Sequence, residues 1–341
     1  MVLRKILIRL PSPLGDAILA TPALRAIRKQ YPDAEITFLA NRSVRQVLSP
    51  SGFCDKWMEL EGEFFRQAFK LRCRNFTDAV IFKNSFGSAL EVFLAGVKRR
   101  VGYARQGRGF LLTDKIRPLR DEDGSFKPAP MVDYYLKLAE SIGCDTSDRT
   151  VELTVSEEEL GDLDSDLGRY LDSERPLAVL VPGGANGPSK CWQAERFGKT
   201  ARELKEKYGA NVLVSVAPCQ PEMETAESIC SIAEGAAVNL GEYGLSLGKL
   251  KAVFSKADLV ITNDTGPRHI AIALGKKVIT MFGPNNPEWT QTGYKDEIQI
   301  VGEAECVPCT RPECYRERHF CMESITVDKV MSAVEKMIGE R

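Results

Sequence analysis

Twice along this chain, short runs rich in β-branched residues alternate with stretches that carry apolar residues at helical spacing, and that alternation leaves few folds open. Strands separated by helices pair in parallel, because a parallel pair needs a long crossover and a helix supplies one. In the first series 6–9, 35–39, 78–82 and 100–103 read as strands, with 16–30, 63–70 and 85–95 as helices between them. In the second, 177–181, 211–216, 259–262 and 277–281 read as strands, with 195–208, 221–234, 247–255 and 267–274 as helices. Between the series an acidic stretch, 156–170, reads as a helix and runs into the polar linker Asp172-Ser-Glu-Arg-Pro176. The expected architecture is α/β: two doubly wound, Rossmann-like domains, 1–172 and 173–341, facing a cleft, with an amphipathic helix over 325–338. A length of 341 residues suits two domains of about 150 residues each.

The balance of 46 Lys and Arg against 47 Asp and Glu excludes a generic nucleic-acid binder, which needs a basic excess to neutralise phosphates. The first apolar run, Ile6-Leu-Ile8, is flanked by Arg4, Lys5 and Arg9, which suits neither a signal peptide nor an anchor. No later stretch has the roughly 18 uncharged apolar residues of a membrane span. The expected location is therefore cytoplasmic, and the ten cysteines read as free thiols or metal ligands before disulfides.

In doubly wound sheets, ligands bind outside the carboxyl ends of the strands, where loops meet helix starts. The first such loop is Pro11-Ser-Pro-Leu-Gly-Asp16, which sets Asp16 at a helix start. There it is either a carboxylate complementing the helix dipole or a general base. No Gly-x-Gly-x-x-Gly follows the strand, so a dinucleotide site and a dehydrogenase are not expected. The second domain opens with a strand and then Pro182-Gly-Gly-Ala-Asn-Gly-Pro-Ser-Lys-Cys-Trp192. Gly183 and Gly184 could expose backbone N–H groups to an anion, with Lys190 supplying a point charge, although an ordinary turn reads equally well. In Asn263-Asp-Thr-Gly-Pro267 a hydrophobic strand meets a helix whose free N–H groups suit a phosphate; Asp264 and Thr265 offer polar contacts, and His269 lies one turn on.

Taken together, these segments resemble the glycosyltransferase family that includes the ADP-heptose:lipopolysaccharide heptosyltransferases, nearest the heptosyltransferase II type. The resemblance rests on Ser12-Pro-Leu-Gly-Asp16 with Thr21-Pro-Ala-Leu-Arg25, Asn84-Ser-Phe86 with Ala89-Leu90, and Arg99-Arg-Val-Gly-Tyr103. It continues with Pro182-Gly-Gly-Ala185, Lys190 with Trp192, and Asn263-Asp-Thr-Gly-Pro267 with His269. It implies a GT-B fold with an acceptor domain at 1–172 and a nucleotide-sugar domain at 173–341. It also implies an inverting displacement, with Asp16 as base and Lys190 stabilising the leaving diphosphate. Gly183, Gly184, Ala185, Asn186, Lys190, Asp264, Thr265, Gly266, Pro267 and His269 then correspond to contacts with ADP-heptose. Ser12, Asn84, Ser85, Arg99 and Arg105 correspond to contacts with the acceptor, the anionic inner core of lipopolysaccharide. Arg42, Arg45, Lys83, Lys98, Arg100 and Arg108 extend that basic series, which could also hold the protein at the inner-membrane surface. Asp-x-Asp pairs occur at Asp121–Asp123 and within 162–166, in polar stretches that read as solvated charge, so the chemistry is expected to need no metal.

Two positions depart from the family pattern. Ser246-Leu-Gly-Lys249 has Gly248 where relatives carry a glutamate for the ribose, which keeps open another nucleotide-sugar and a different surface glycan. Arg268 stands at a usually apolar position, where it could meet a phosphate or point to solvent. A nucleotide-sugar 2-epimerase of the same architecture and a non-catalytic binding protein are the other readings. Near the C-terminus, Cys306-x2-Cys309-x4-Cys314-x6-Cys321 suggests either a structural zinc site or a thiol-rich loop. A similar cysteine pattern in heptosyltransferase II-like sequences supports the subfamily more than a metal.

Overall fold

The computed structural model describes residues 4–122, 124, 126–161, 163, 165–171, 174–184 and 187–339. Asp123, Asp162, Asp164, Asp172, Ser173, Ala185 and Asn186, all cited above, lie outside the described residues. Two compact units emerge: Met1–Thr154 with Glu288–Thr292, and Val155–Pro287 with Gly293–Arg341. The sequence boundary near 172 lies inside the second of these, which takes in the acidic stretch. That stretch forms two short helices, Glu157–Gly161 and Ser165–Leu171, in place of one. Glu159 of the first is ion-paired to the buried Lys251 of the second unit.

The first unit holds a parallel sheet of β1 (Lys5–Arg9), β2 (Glu35–Ala40), β3 (Lys56–Glu59), β4 (Asp78–Ile81), β5 (Arg99–Tyr103) and β6 (Asp114–Ile116), in the order β3-β2-β1-β4-β5-β6. The second unit repeats the pattern with β7 (Leu177–Val181), β8 (Asn211–Val214), β9 (Ala237–Asn239), β10 (Leu259–Asn263), β11 (Lys277–Phe282) and β12 (Glu297–Val301), in the order β12-β11-β10-β7-β8-β9. The central strands β4, β7 and β10 are buried along their full length, because helices cover both faces of a parallel sheet. The sequence reading missed β3, β6, β9 and β12. The outermost strands β3, β6 and β12 are short and half-exposed, so they lack the apolar run that marks a central strand.

The helix expected at 16–30 is broken into Leu14–Leu19 and Thr21–Gln30. Pro22 has no N–H to give the Ile18 carbonyl, and the Thr21 hydroxyl donates to that carbonyl instead, at 2.8 Å. In the second unit the indole N–H of Trp192 donates to the Ile325 carbonyl at 2.8 Å, tying the C-terminal segment to the core around Phe197, Leu204 and Ile229.

Candidate active site

Strand order makes β1 the switch point of the first sheet: β2 pairs on one side of it and β4 on the other. The loops after β1 and β4 therefore open at one place on the carboxyl edge, and they carry Asp16 and Lys83-Asn-Ser85. Asp16 is half-buried on the third position of Leu14–Leu19, a helix that has no side-chain cap. Burial raises its carboxyl above the ordinary aspartate range, and the charge of Lys83 partly opposes this. The place of Asp16 in the first turn suits a carboxylate complementing the helix dipole as well as a general base, although it caps no backbone group.

The five residues matched to the acceptor do not gather at one point. The Ser12 carbonyl accepts from the Asn41 side chain at 3.1 Å, which fixes the β1 loop to the start of helix Arg42–Leu48. Ser85 caps helix Phe86–Leu94, its hydroxyl accepting from the Ser88 amide at 3.2 Å. Asn84 accepts from Arg108 at 3.0 Å. Arg108 is fully buried and also donates to the carbonyls of Lys83, Ser85 and Tyr103. Burial lowers its guanidinium to about 10. It is a pin that shapes the β4 loop, not a member of a basic surface.

Arg99 has to be reassigned. It opens β5, level with Asp78 at the amino edge of the sheet, and pairs with Asp114 at 3.2 Å and Asp78 at 3.7 Å. The loops after β1 and β4 lie at the opposite edge. Arg45 is likewise engaged, with Glu59 at 2.9 Å. Arg105 does lie beyond the carboxyl end of β5. Its guanidinium stacks 3.9 Å from the Phe126 ring centre and lines a cavity of about 370 Å³ with Arg117, Lys127, Tyr134 and Trp289.

In the second unit β7 is the switch point, between β10 and β8. Its loop and the loop after β10 are stitched together by Asn263, which donates to the carbonyls of Pro182 at 2.7 Å and Gly183 at 3.3 Å. Crowding explains the glycines. A side chain at Gly183 would stand 2.6 Å from a Glu222 oxygen, and one at Gly184 would stand 2.7 Å from the Cys191 sulfur. Gly187, at φ +125, lies against the Pro312 backbone.

Lys190 is buried at the end of the turn Pro188–Lys190, with Nζ 3.3 Å from Asp264 Oδ2 and 3.4 Å from its carbonyl oxygen. Asn285 donates to the same carboxylate at 2.7 Å. Burial alone would raise Asp264, but Lys190 and Arg268 outweigh it and hold the carboxyl below its ordinary range. Thr265 precedes helix Gly266–Ala273 without capping it, and Pro267 occupies the first turn, so the leading N–H groups are not taken by a cap.

Arg268 neither meets solvent nor points to an open phosphate position. It is fully buried, bidentate to Glu297 at 2.7 and 3.0 Å, and 3.6 Å from Asp264. His269 is buried beside it. Burial first, and then the charge of Arg268, lower the imidazole to about 3, so it is neutral. Its Nδ1 has no hydrogen-bond partner among the described residues. Sequence reasoning passed over Asn285 and Glu297, which lie outside every recognised motif and enter the site only through the fold.

A side chain on Gly248 would stand 2.7 Å from the Glu159 carboxylate, which pairs with the buried Lys251 at 3.1 Å. The position left without a glutamate by the sequence thus has a carboxylate brought in from another helix. Cys306, Cys309, Cys314 and Cys321 line one small cavity with His319. Among the described residues, however, no three His, Cys, Asp or Glu side chains are set to hold a metal ion, so the structural zinc has no assembled ligand set. All ten cysteines are free of disulfides.

Comparison with known proteins gives this geometry a context. The model of glycosyltransferase family 9 (heptosyltransferase) matches residues 64–319. Lipopolysaccharide heptosyltransferase 2 of Salmonella typhimurium is 30% identical over 304 residues, 84% of each chain. The structure of E. coli ADP-heptose lps heptosyltransferase II superposes with a TM-score of 0.80 at 25% identity, over 98% of this chain and 99% of that one. An E. coli heptosyltransferase with ADP-2-deoxy-2-fluoro heptose has the same fold, with a TM-score of 0.74 at 17% identity over 97% and 99% of the two chains.

Proposed function

The chain belongs to glycosyltransferase family 9, and from that premise we propose that it transfers heptose from ADP-L-glycero-D-manno-heptose to the inner core of lipopolysaccharide. The observation that carries the donor side is the Lys190–Asp264 pair at the uncapped start of helix Gly266–Ala273. A diphosphate docked there meets the free N–H groups of the first turn and the Lys190 ammonium. Thr265, Gly266 and Pro267 form the wall of that site, the orphan Nδ1 of His269 finds its partner in the donor, and Glu159 replaces the carboxylate missing at Gly248.

Transfer is an inverting single displacement. Asp16, uncapped and poised above the ordinary aspartate range, takes the proton of the acceptor hydroxyl as that oxygen attacks the anomeric carbon. The bond to the diphosphate breaks on the opposite face, and Lys190 with the helix N-terminus meets the charge that grows there. The acceptor is anionic, and the cavity lined by Arg105, Arg117 and Lys127 suits its phosphates or carboxylates. A glycolipid acceptor would be met by peripheral contact with the inner leaflet; among the described residues no helix is long and apolar enough to cross a membrane.

The test is transfer onto purified inner core, read by mass spectrometry, with EDTA in the buffer. A gain of one heptose from ADP-heptose, and none from other nucleotide-sugars, is expected. A gain only from another sugar would move the assignment to a different glycan, and conversion of donor without acceptor would make the protein an epimerase. Lys190→Ala is expected to lower kcat by about a hundredfold, the usual cost of removing one charge-stabilising group, and to weaken ADP in calorimetry. Unchanged ADP affinity would remove Lys190 from the donor site.

A further inference from the structure

Helices Phe64–Arg72 and Phe86–Leu94 of the first unit pack against each other, and both expose large apolar side chains where a solvated helix would be polar, with Arg66, Lys70 and Arg72 beside them on the first helix. Phe65 is 78% exposed and Phe69, one turn on, 67% exposed. Phe86, Leu90, Phe93 and Leu94 continue the stripe at helical spacing on the second helix, Leu90 being half-buried and the other three exposed. Phe110, 71% exposed on the turn Arg108–Leu111, brings its ring 6.0 Å from Phe86. Of the ten large apolar side chains exposed among the described residues, six fall on these three elements. Single exposed apolar residues are ordinary, but six gathered on neighbouring elements mark an interaction surface.

The charge around this face is mainly positive: Glu61, which pairs with Arg66 and Lys70, and the exposed Glu63 are outnumbered by the cations. Arg72, Arg74 and Lys98 are exposed at its border with no carboxylate partner among the described residues, and Arg100 lies 5.3 Å from the Phe93 ring centre. Rings that sink to the boundary between headgroups and acyl chains, edged by unpaired cations, fit an anionic lipid surface. A second copy of this chain fits less well, because a twofold contact would set the same cations against one another. The face is also continuous with the site. Phe86 follows the capping Ser85, and Phe110 is two residues from Arg108, which holds Asn84 and Ser85 in the loop after β4.

We propose that this aromatic face docks the enzyme on the anionic bilayer that carries its glycolipid acceptor, with the β4 loop turned toward the sugar. The proposal rests on the acceptor being a glycolipid, and its test separates the two. The full chain is sedimented with vesicles of phosphatidylethanolamine and phosphatidylglycerol, and with vesicles of phosphatidylcholine alone. Binding to the anionic vesicles that weakens as salt rises is expected. Phe65→Ser with Phe69→Ser is expected to reduce it on the order of tenfold, with unchanged melting and unchanged transfer to a water-soluble, delipidated core. Arg72→Glu with Arg74→Glu should reduce binding through charge alone. A wild-type chain that stays in the supernatant with anionic vesicles overturns the proposal. So does a double-serine variant that binds as wild type, or a wild-type dimer that the serine substitutions turn into a monomer. Vesicle binding without heptose transfer would leave the docking standing and fell the heptosyl assignment; transfer without vesicle binding would do the reverse.

Discussion

Asp16→Asn is expected to lower kcat by about a thousandfold while leaving ADP affinity within about twofold of wild type, since a general base acts only in the transition state. Asparagine keeps the volume and removes the charge. Because Asp16 caps no backbone group, the helix Leu14–Leu19 should keep its place when the carboxylate is gone. The residue is raised by burial and lowered by Lys83, and a base must be ionised to work. The acid limb of the kcat/KM profile should therefore lie above the ordinary aspartate range. Lys83→Met removes the opposing charge and should move that limb to higher pH. Steady-state kinetics across pH, with calorimetry of ADP, decide the matter. If donor affinity fell along with turnover, Asp16 would be a structural residue. A limb that ignored Lys83 would point to another base.

How much of this was legible beforehand follows from where the information sits. The central strands could be read because burial on both faces leaves uninterrupted apolar runs, as in Leu177-Ala-Val-Leu-Val181. The outermost strands β3 and β12 could not, since a half-exposed strand of four or five residues looks like any mixed segment. The loops that carry Asp16, Lys190 and Asp264 stand at strand ends where ligands bind in such sheets, and each alone reads equally as an ordinary turn; it was their order along the chain, matched to the family, that singled them out. Arg99 was misplaced for a simple reason: a short basic run tells nothing about which end of a strand faces the site. Arg268 was misjudged because its partner Glu297 lies 29 residues away on another strand, and only the fold joins them. The carboxylate of Glu159 beside Gly248 was invisible for the same reason.

Arg268→Met is expected to destabilise the second unit by about 3–5 kcal/mol, because breaking a buried pair strands the partner charge. The Glu297 carboxylate would stay buried, with Thr280 at 2.5 Å and Gln299 at 2.9 Å as its remaining donors. For a unit of this size the melting temperature should fall by about 10 °C. Arg268→Met with Glu297→Gln should recover much of the loss, since no unpaired charge then remains, and a cycle over the four proteins isolates the pair. The pH dependence has a definite sign. In the wild type Arg268 outweighs burial and holds Glu297 below its ordinary range, so that contribution fades as pH falls. In the single variant burial is opposed only by the hydrogen bonds from Thr280 and Gln299, so Glu297 should move up and protonation relieve the strain as pH falls. The deficit between the two should therefore shrink toward acid, and a deficit that grew there would show that Glu297 is not the stranded charge. Function should follow stability. With Arg268 gone, Lys190 alone balances Asp264, the donor site loses one positive charge, and ADP should bind about tenfold more weakly even where the protein is fully folded.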